Sequence, residues 1–264
     1  MTTLATGRTP RAVDGPPLRR GAGRAVLDGN ELIVKGALEA GVSLVTGYPG
    51  SPVAEVFTIC ESHAPLLREL GTEAQLANNE AQSAAMINGA RQVPGARAMA
   101  VMKSVGAYVA LDGLAIANAA RPAAGAAAVV VAGDDPALAS TQVGADSRTT
   151  LAGARIPVLE PASPQELKDL VRIGFELSAE SGLIVGLMCT TPQADGAGVV
   201  ELLPNRAPAV GPASRVALET AAIRVADSVS LPPQATSLEA DILERRIPRL
   251  HAAARAAGID RIES

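Results

Sequence analysis

Short, continuously apolar runs recur along this chain, each closed by a loop of small residues and separated from the next by a segment of helical spacing. Residues 42–46, 96–102, 126–132 and 183–189 read Val-Ser-Leu-Val-Thr, Ala-Arg-Ala-Met-Ala-Val-Met, Ala-Ala-Ala-Val-Val-Val-Ala and Leu-Ile-Val-Gly-Leu-Met-Cys. A strand with one wet face alternates apolar and polar residues, whereas a run apolar throughout must be covered on both sides. The expected fold is therefore α/β: a doubly wound, mostly parallel sheet with helices on both faces and right-handed crossovers.

Between these runs, helical spacing is found over residues 30–40, 80–92, 105–120, 146–154 and 164–181, with Asn30 as a cap and Gly41 as a stop for the first. A further helix carries Val53, Val56, Phe57 and Cys60, and Ser51 with Pro52 reads as its cap and first position. Residues 156–160 and 199–203 read as additional strands, and residues 237–257 as a helix that Pro248 interrupts. Tyr108 and Phe175 read as core. Three regions follow: an Arg-rich mobile leader (1–24), the α/β domain (25–192) and a C-terminal extension (193–264) packing on the domain or on a partner.

Composition narrows the chemistry. A net charge of -4 offers no general attraction to nucleic acid, and no apolar run approaches the roughly 18 residues of a bilayer span. The only two cysteines, Cys60 and Cys189, lack any paired spacing, so this chain builds no thiolate metal or cluster site, and it suits a reducing, cytoplasmic compartment. With aromatics at 2% and abundant Ala and Gly, elements approach closely but bury little area each, which leaves stability leaning on a subunit interface.

The residues able to do chemistry gather after strands: the loop Gly47-Tyr48-Pro49-Gly50-Ser51-Pro52, the pair Asn79-Glu80 and the segment Lys103-Ser104-Val105-Gly106. A glutamate at a helix start is favoured by free amides by about 0.3 to 1 kcal/mol, so Glu80 alone has a purely structural explanation. Three such loops after three apolar strands suggest instead a shared cleft at one edge of a parallel sheet. There is no Gly-x-Ser-x-Gly elbow or P-loop, and the only histidines are His63 and His251. Asp134-Asp135 invites Mg²⁺ but lacks a third oxygen ligand at a sensible spacing.

Gly29-Asn30-Glu31, the 47–52 loop, Asn79-Glu80, Met102-Lys103-Ser104-Val105-Gly106, Asp134-Asp135-Pro136, Ser140-Thr141-Gln142, Asp146-Ser147-Arg148, Val158-Leu159-Glu160-Pro161, Pro164-Gln165-Glu166 and Arg261-Ile262-Glu263 follow one another in order. Together they resemble the pyrimidine-binding domain of the 2-oxoacid:ferredoxin oxidoreductases, most closely the large subunit of the indolepyruvate enzymes. The resemblance implies an enzyme subunit of thiamine diphosphate, with Glu80 on the aminopyrimidine ring and Tyr48, Pro49, Gly50, Lys103, Val105 and Gly106 beside the cofactor. It also implies Ser51 and Arg148 near the substrate carboxylate, coenzyme A as acyl acceptor, and iron–sulfur clusters on other subunits.

The departures bear on substrate and partners. Val143-Gly144-Ala145 stands where the family carries a polar Asn-Glu-Gln run, and Ala139 replaces a usual histidine, which removes hydrogen-bonding groups from that loop. The family's Gly-Asp-Gly motif for Mg²⁺ and diphosphate does not occur. The resemblance therefore implies half a site, completed by a diphosphate-binding thiamine subunit alongside acyl-transfer-type and ferredoxin-like subunits, acting on a 2-oxoacid, with an aromatic one favoured. Two rivals keep the same fold: a split, non-oxidative 2-oxoacid decarboxylase, and a non-catalytic scaffold. A stand-alone nucleotide-binding module would need a glycine fingerprint that is missing.

Overall fold

The computed structural model describes residues 16–215 and 231–259; the Arg261-Ile262-Glu263 motif and most of the leader lie outside them. Strands β1 (Arg24–Asp28), β2 (Leu44–Gly47), β3 (Glu73–Leu76), β4 (Arg97–Lys103), β5 (Ala127–Asp134), β6 (Val158–Leu159), β7 (Val185–Thr190) and β8 (Ala197–Glu201) are joined mainly by helices. In chain order these are α1 (Gly29–Ala40), α2 (Glu55–Ser62), α3 (Ala64–Leu70), α4 (Glu80–Ala90), α5 (Ser104–Ala119), α6 (Ser147–Gly153), α7 (Pro164–Ser181) and α8 (Thr191–Asp195). Beyond β8 come α9 (Gln234–Asp241), a π-helical turn (Ile242–Arg246) and α10 (Ile247–Ala256). The main sheet has six parallel strands in the order β3-β2-β4-β5-β7-β6, covered on both faces.

The period of two along a strand divides the core. Met99 and Val101 of β4, with Val129 and Val131 of β5, face α1, α2 and α7, where Ile33, Val56, Val171 and Phe175 complete the layer. Ala98, Ala100 and Met102, with Ala128, Val130 and Ala132, face α4, α5 and α6 through Ala84, Ile87, Ala107, Leu114 and Leu151. Fully burying one of the larger side chains, such as Phe175 or Ile87, contributes about 1.5 to 3 kcal/mol. Alanines contribute less but bring α4 and α5 close to the sheet.

Several local expectations are corrected. Asn30 does not cap α1: Asp28 does, accepting from the Glu31 amide at 2.8 Å while Glu31 accepts from the Asp28 amide at 3.0 Å. Nor does Ser51 cap a helix, because α2 starts at Glu55 with Ala54 before it. Tyr108 is half-exposed, while Phe175 is fully buried as expected. Pro248 leaves its helix continuous but replaces one turn by π-helix, in which the Ile247 amide donates back to the Ile242 carbonyl.

The ends of the domain were the least legible. β1 and β8 form a separate antiparallel ribbon, Arg24 opposite Glu201 and Asp28 opposite Ala197, so the domain does not stop at residue 192. Leu18, counted with the mobile leader, is buried in a short 3-10 turn (Pro17–Arg19). The extension packs through Ile242 and Leu250 against Leu177, Leu183 and Val185. Its Arg246 donates to the carbonyls of Asn118, Ala119, Ala120 and Gly182, capping the end of α5. Among the described residues no helix is long and apolar enough to cross a membrane.

Candidate active site

The chain leaves β2 toward β3 on one side and returns to β4 on the other, so the order reverses between β2 and β4. Where the order of a parallel sheet reverses, the loops diverge and leave a crevice beyond the carboxyl ends of the strands. The 47–52 loop, the start of α4 and the start of α5 all converge there.

The 47–52 loop is held from below. Gly47 has φ +146° and lies so tightly on Val101 that a Cβ would stand 1.9 Å from that carbonyl oxygen, so only glycine fits. The Tyr48 amide donates to the same oxygen at 3.2 Å, and the Ala77 amide donates to the Gly47 carbonyl at 2.9 Å, tying the loop to the end of β3. Asn30, read from sequence as a cap and within the Gly29-Asn30-Glu31 motif, reaches up from α1 and donates to the Pro52 carbonyl at 3.2 Å. Its Oδ1 is buried without a partner. On the crevice side, a Cβ on Gly50 would stand 2.8 Å from Cγ of Lys103, so the two loops touch. Ser51 is exposed, and its hydroxyl makes no hydrogen bond among the described residues.

Glu80 is the first residue of α4. Asn79 caps that helix by accepting from the Gln82 amide at 2.8 Å, and the Gln82 side chain accepts from the Asn78 amide at 2.7 Å. The usual structural duty of a carboxylate here is thus already done by Asn79 and Gln82. The Glu80 side chain instead turns onto α5: a Cβ on Gly106 would stand 2.5 Å from its Oε1 and 2.8 Å from its Cγ. It is 9% exposed and makes no hydrogen bond or ion pair among the described residues. A carboxylate that no protein group engages keeps its hydrogen-bonding capacity for solvent or a ligand. Lys103 ends β4 and Val105 stands half-buried on the same wall.

The next strand end is pinned by its aspartates. Asp134 accepts from the Ser147 amide at 3.0 Å and from the Ser147 hydroxyl; burial pushes its carboxyl above the usual carboxylate range against those bonds. Asp135 accepts from the Ser140 amide at 2.7 Å, which with its other hydrogen bonds holds its carboxyl below the usual range. Among the described residues no group of three or more His, Cys, Asp or Glu is placed to hold a metal ion. Arg148 is exposed and its guanidinium is engaged by Asp146 at 2.9 Å and Glu160 at 3.5 Å, so it belongs to a surface ion pair. Sequence reasoning missed the role of Asn30 and the docking of Gly133 on Pro52 and Val53, where a Cβ would stand 2.8 Å from either side chain. The Gly29-Asn30-Glu31 motif was the available signal for the first.

This sheet order, with its switch-point crevice, makes a doubly wound α/β domain of the ligand-binding kind. A solved structure of 2-oxoglutarate:ferredoxin oxidoreductase from Magnetococcus marinus, with 2-oxoglutarate, coenzyme A and succinyl-CoA bound, matches the fold. It does so with TM-score 0.63 and 16% identity, over 98% of this chain and 49% of that one. In sequence, the chain is similar to the indolepyruvate oxidoreductase subunit IorA of Pyrococcus abyssi, 38% identical over 182 residues. The same subunit of Archaeoglobus fulgidus is 38% identical over 180 residues. No protein-family model matches. The chain carries a domain of the 2-oxoacid oxidoreductase family. The matches cover 68% of this chain but only 27% and 28% of those relatives' length.

Proposed function

We propose that this chain supplies the aminopyrimidine-binding half of a thiamine-diphosphate-dependent 2-oxoacid oxidoreductase, which decarboxylates an aromatic 2-oxoacid to an acyl-CoA. The observation that carries this reading is the Glu80 side chain, which lies against the bare backbone of Gly106 at the sheet's switch point with no hydrogen-bond partner among the described residues. Its unspent hydrogen-bonding capacity fits a ring nitrogen that shares a proton, and the missing Cβ of Gly106 is what lets the carboxylate lie there. When bound, thiamine diphosphate supplies the electron sink that lets a 2-oxoacid lose carbon dioxide.

The chain's own residues orient and enclose. Glu80 holds the proton at the ring nitrogen; Lys103, Val105 and Gly106 form one wall, and Tyr48, Pro49 and Gly50 the other. Ser51 offers its free hydroxyl to the substrate carboxylate, while Arg148 contributes through the loop it anchors. The diphosphate and its Mg²⁺ fall to a partner, and the face for that partner adjoins the site. Along α5, Val105, Tyr108, Val109 and Ile116 turn outward at helical spacing, the last three about half-exposed, and Asp112 is the helix's only charged residue. An outer helix face this rich in apolar side chains, with Asp112 as its one charge, suits burial in an assembly. Acyl-transfer-type and ferredoxin-like iron–sulfur subunits complete the reading, in a cytoplasm reducing enough for the two buried thiols.

The test is to assemble the complex with its co-purifying subunits and compare it with Glu80→Gln. The amide cannot share a proton in the same way, so turnover should fall by about a hundredfold or more, the scale of a lost acid–base group, with assembly intact. Unchanged turnover would overturn the assignment. A wild-type complex holding cofactor but no iron would redirect the reading to a non-oxidative decarboxylase.

A further inference from the structure

The two ends of the 47–52 loop are held differently. At its start, the Tyr48 amide and the Gly47 carbonyl are bonded to β4 and to the end of β3. Over residues 49–52 the backbone has no bond to a strand among the described residues; the Val53 amide donates to the Gly50 carbonyl at 3.1 Å, which only closes a turn. The bond from the Asn30 side chain to the Pro52 carbonyl is the one that reaches this stretch from elsewhere among the described residues. Ser51 stands directly before that carbonyl's residue.

Asn30 is 3% exposed and does nothing for the start of its own helix, which Asp28 and Glu31 already cap. Its Nδ2 donates to the Pro52 carbonyl and, at a longer 3.4 Å, to the Ala194 carbonyl of α8. The turn that carries it is pressed onto α8 as well. The Gly29 amide donates to the Gly196 carbonyl at 3.0 Å, and the Gln193 carbonyl leaves no room for a Cβ on Gly29. α8 is in turn fastened to the end of β5, the Thr191 hydroxyl donating to Asp135 at 3.2 Å. A braced support therefore reaches the loop through one buried amide. Burying that amide is costly, since its Oδ1 has no partner. An apolar side chain would fill the space without that cost, so what Asn30 provides is the donor.

We propose that Asn30 is a positioning residue: by holding the Pro52 carbonyl it sets where Ser51 stands over the crevice. It acts through the loop and touches neither cofactor nor substrate. The proposal rests on the thiamine-dependent reading above. Without the bond the Ser51 end of the loop is released while Gly47 and Tyr48 stay tied, so substrate placement suffers before cofactor placement. Misplacing a substrate-holding group by about 1 Å costs up to about a hundredfold in rate.

The experiment compares wild type with Asn30→Ala and with Asn30→Leu, which fills the space without the donor and answers the question if the alanine variant assembles poorly. Ile33→Val, a core change on the same helix, is the control. Hydrogen exchange of the full chain reads the loop without any turnover: in both Asn30 variants the amides of residues 50–53 should exchange about tenfold faster or more, with those of β4 and β5 unchanged. In the assembled complex, with phenylpyruvate, pyruvate and 2-oxoglutarate as probes, kcat/KM for the best of the three should fall by about tenfold to a hundredfold, mainly through KM. Affinity for thiamine diphosphate, measured by titration, should stay within about threefold, and Ile33→Val should leave kcat/KM within about twofold. Wild-type kcat/KM in the Asn30 variants, an equal loss in Ile33→Val, or a parallel loss of cofactor affinity would overturn the proposal. A wild-type complex inactive on all three probes would instead remove the 2-oxoacid reading, and this proposal with it.

Discussion

Glu39 and Glu80 are both largely covered residues, 1% and 9% exposed, and the molecule treats their carboxylates oppositely. Glu39, on α1, is saturated: one oxygen meets Lys168 at 2.6 Å, and the other takes the Leu203 amide at 2.8 Å and stands 3.5 Å from Lys35. Lys35 in turn donates to the carbonyls of Arg20 and Leu203 and to the Asn205 side chain. This knot fastens residues before β1 and after β8 onto α1 and α7. Glu80 has no such company. Burial alone therefore says little about function; what separates the two is that Glu39 has its hydrogen bonds spent within the fold and Glu80 does not.

The comparison can be broken most directly at Glu39. Glu39→Gln removes the anion that both buried lysines share; Lys168 keeps Asp169 at 2.7 Å, but Lys35 is left without a counter-charge, and breaking a buried pair costs about 3 to 5 kcal/mol. Chemical denaturation should show a loss of that order; a loss below 1 kcal/mol would mean the knot is more hydrated than its burial implies.

Lys35 allows a gentler test. Burial lowers its pKa from the ordinary 10.5 to about 8, against the pull of Glu39. Below pH 8 folded and unfolded chains both hold the proton. Between about pH 8 and 10.5 the unfolded chain holds a proton that the folded one has released, so this residue's contribution to stability rises with pH, by at most about 1.4 kcal/mol per pH unit. The buried thiols of Cys60 and Cys189, pushed up to about 12, act in the opposite sense above pH 9, but equally in wild type and variant. The stability of wild type relative to Lys35→Met should therefore climb between pH 7.5 and 9.5; a flat difference would contradict it.

The smallest effect is expected at the other glutamate. Because Glu80 has no partner to lose, Glu80→Gln should leave stability within about 0.5 kcal/mol of wild type while removing turnover. A large destabilisation would make Glu80 a structural residue like Glu39.

These two glutamates also mark how far the sequence could be read. Glu80 was visible because its context is local: a strand end, an Asn cap, a helix start and small-residue loops nearby. The parallel sheet was visible because its strands are apolar on both faces. Glu39 was not, since its partner Lys168 lies 129 positions away and neither stands out on its own helix. The β1–β8 ribbon escaped for a related reason, as each strand has five residues, one face wet and a partner at the far end of the domain. The helix at Ser51 was misjudged because Ser-Pro satisfies the cap rule locally, while Asn30 and Gly133 impose a different loop from outside.

The β1–β8 ribbon has a consequence for modularity. It sets the chain's entry to the six-stranded body beside the point where the C-terminal extension sets out, with the Lys35 knot clasping both just outside. A change in length at either lead is thereby taken up outside the main sheet, without pulling its strands out of register.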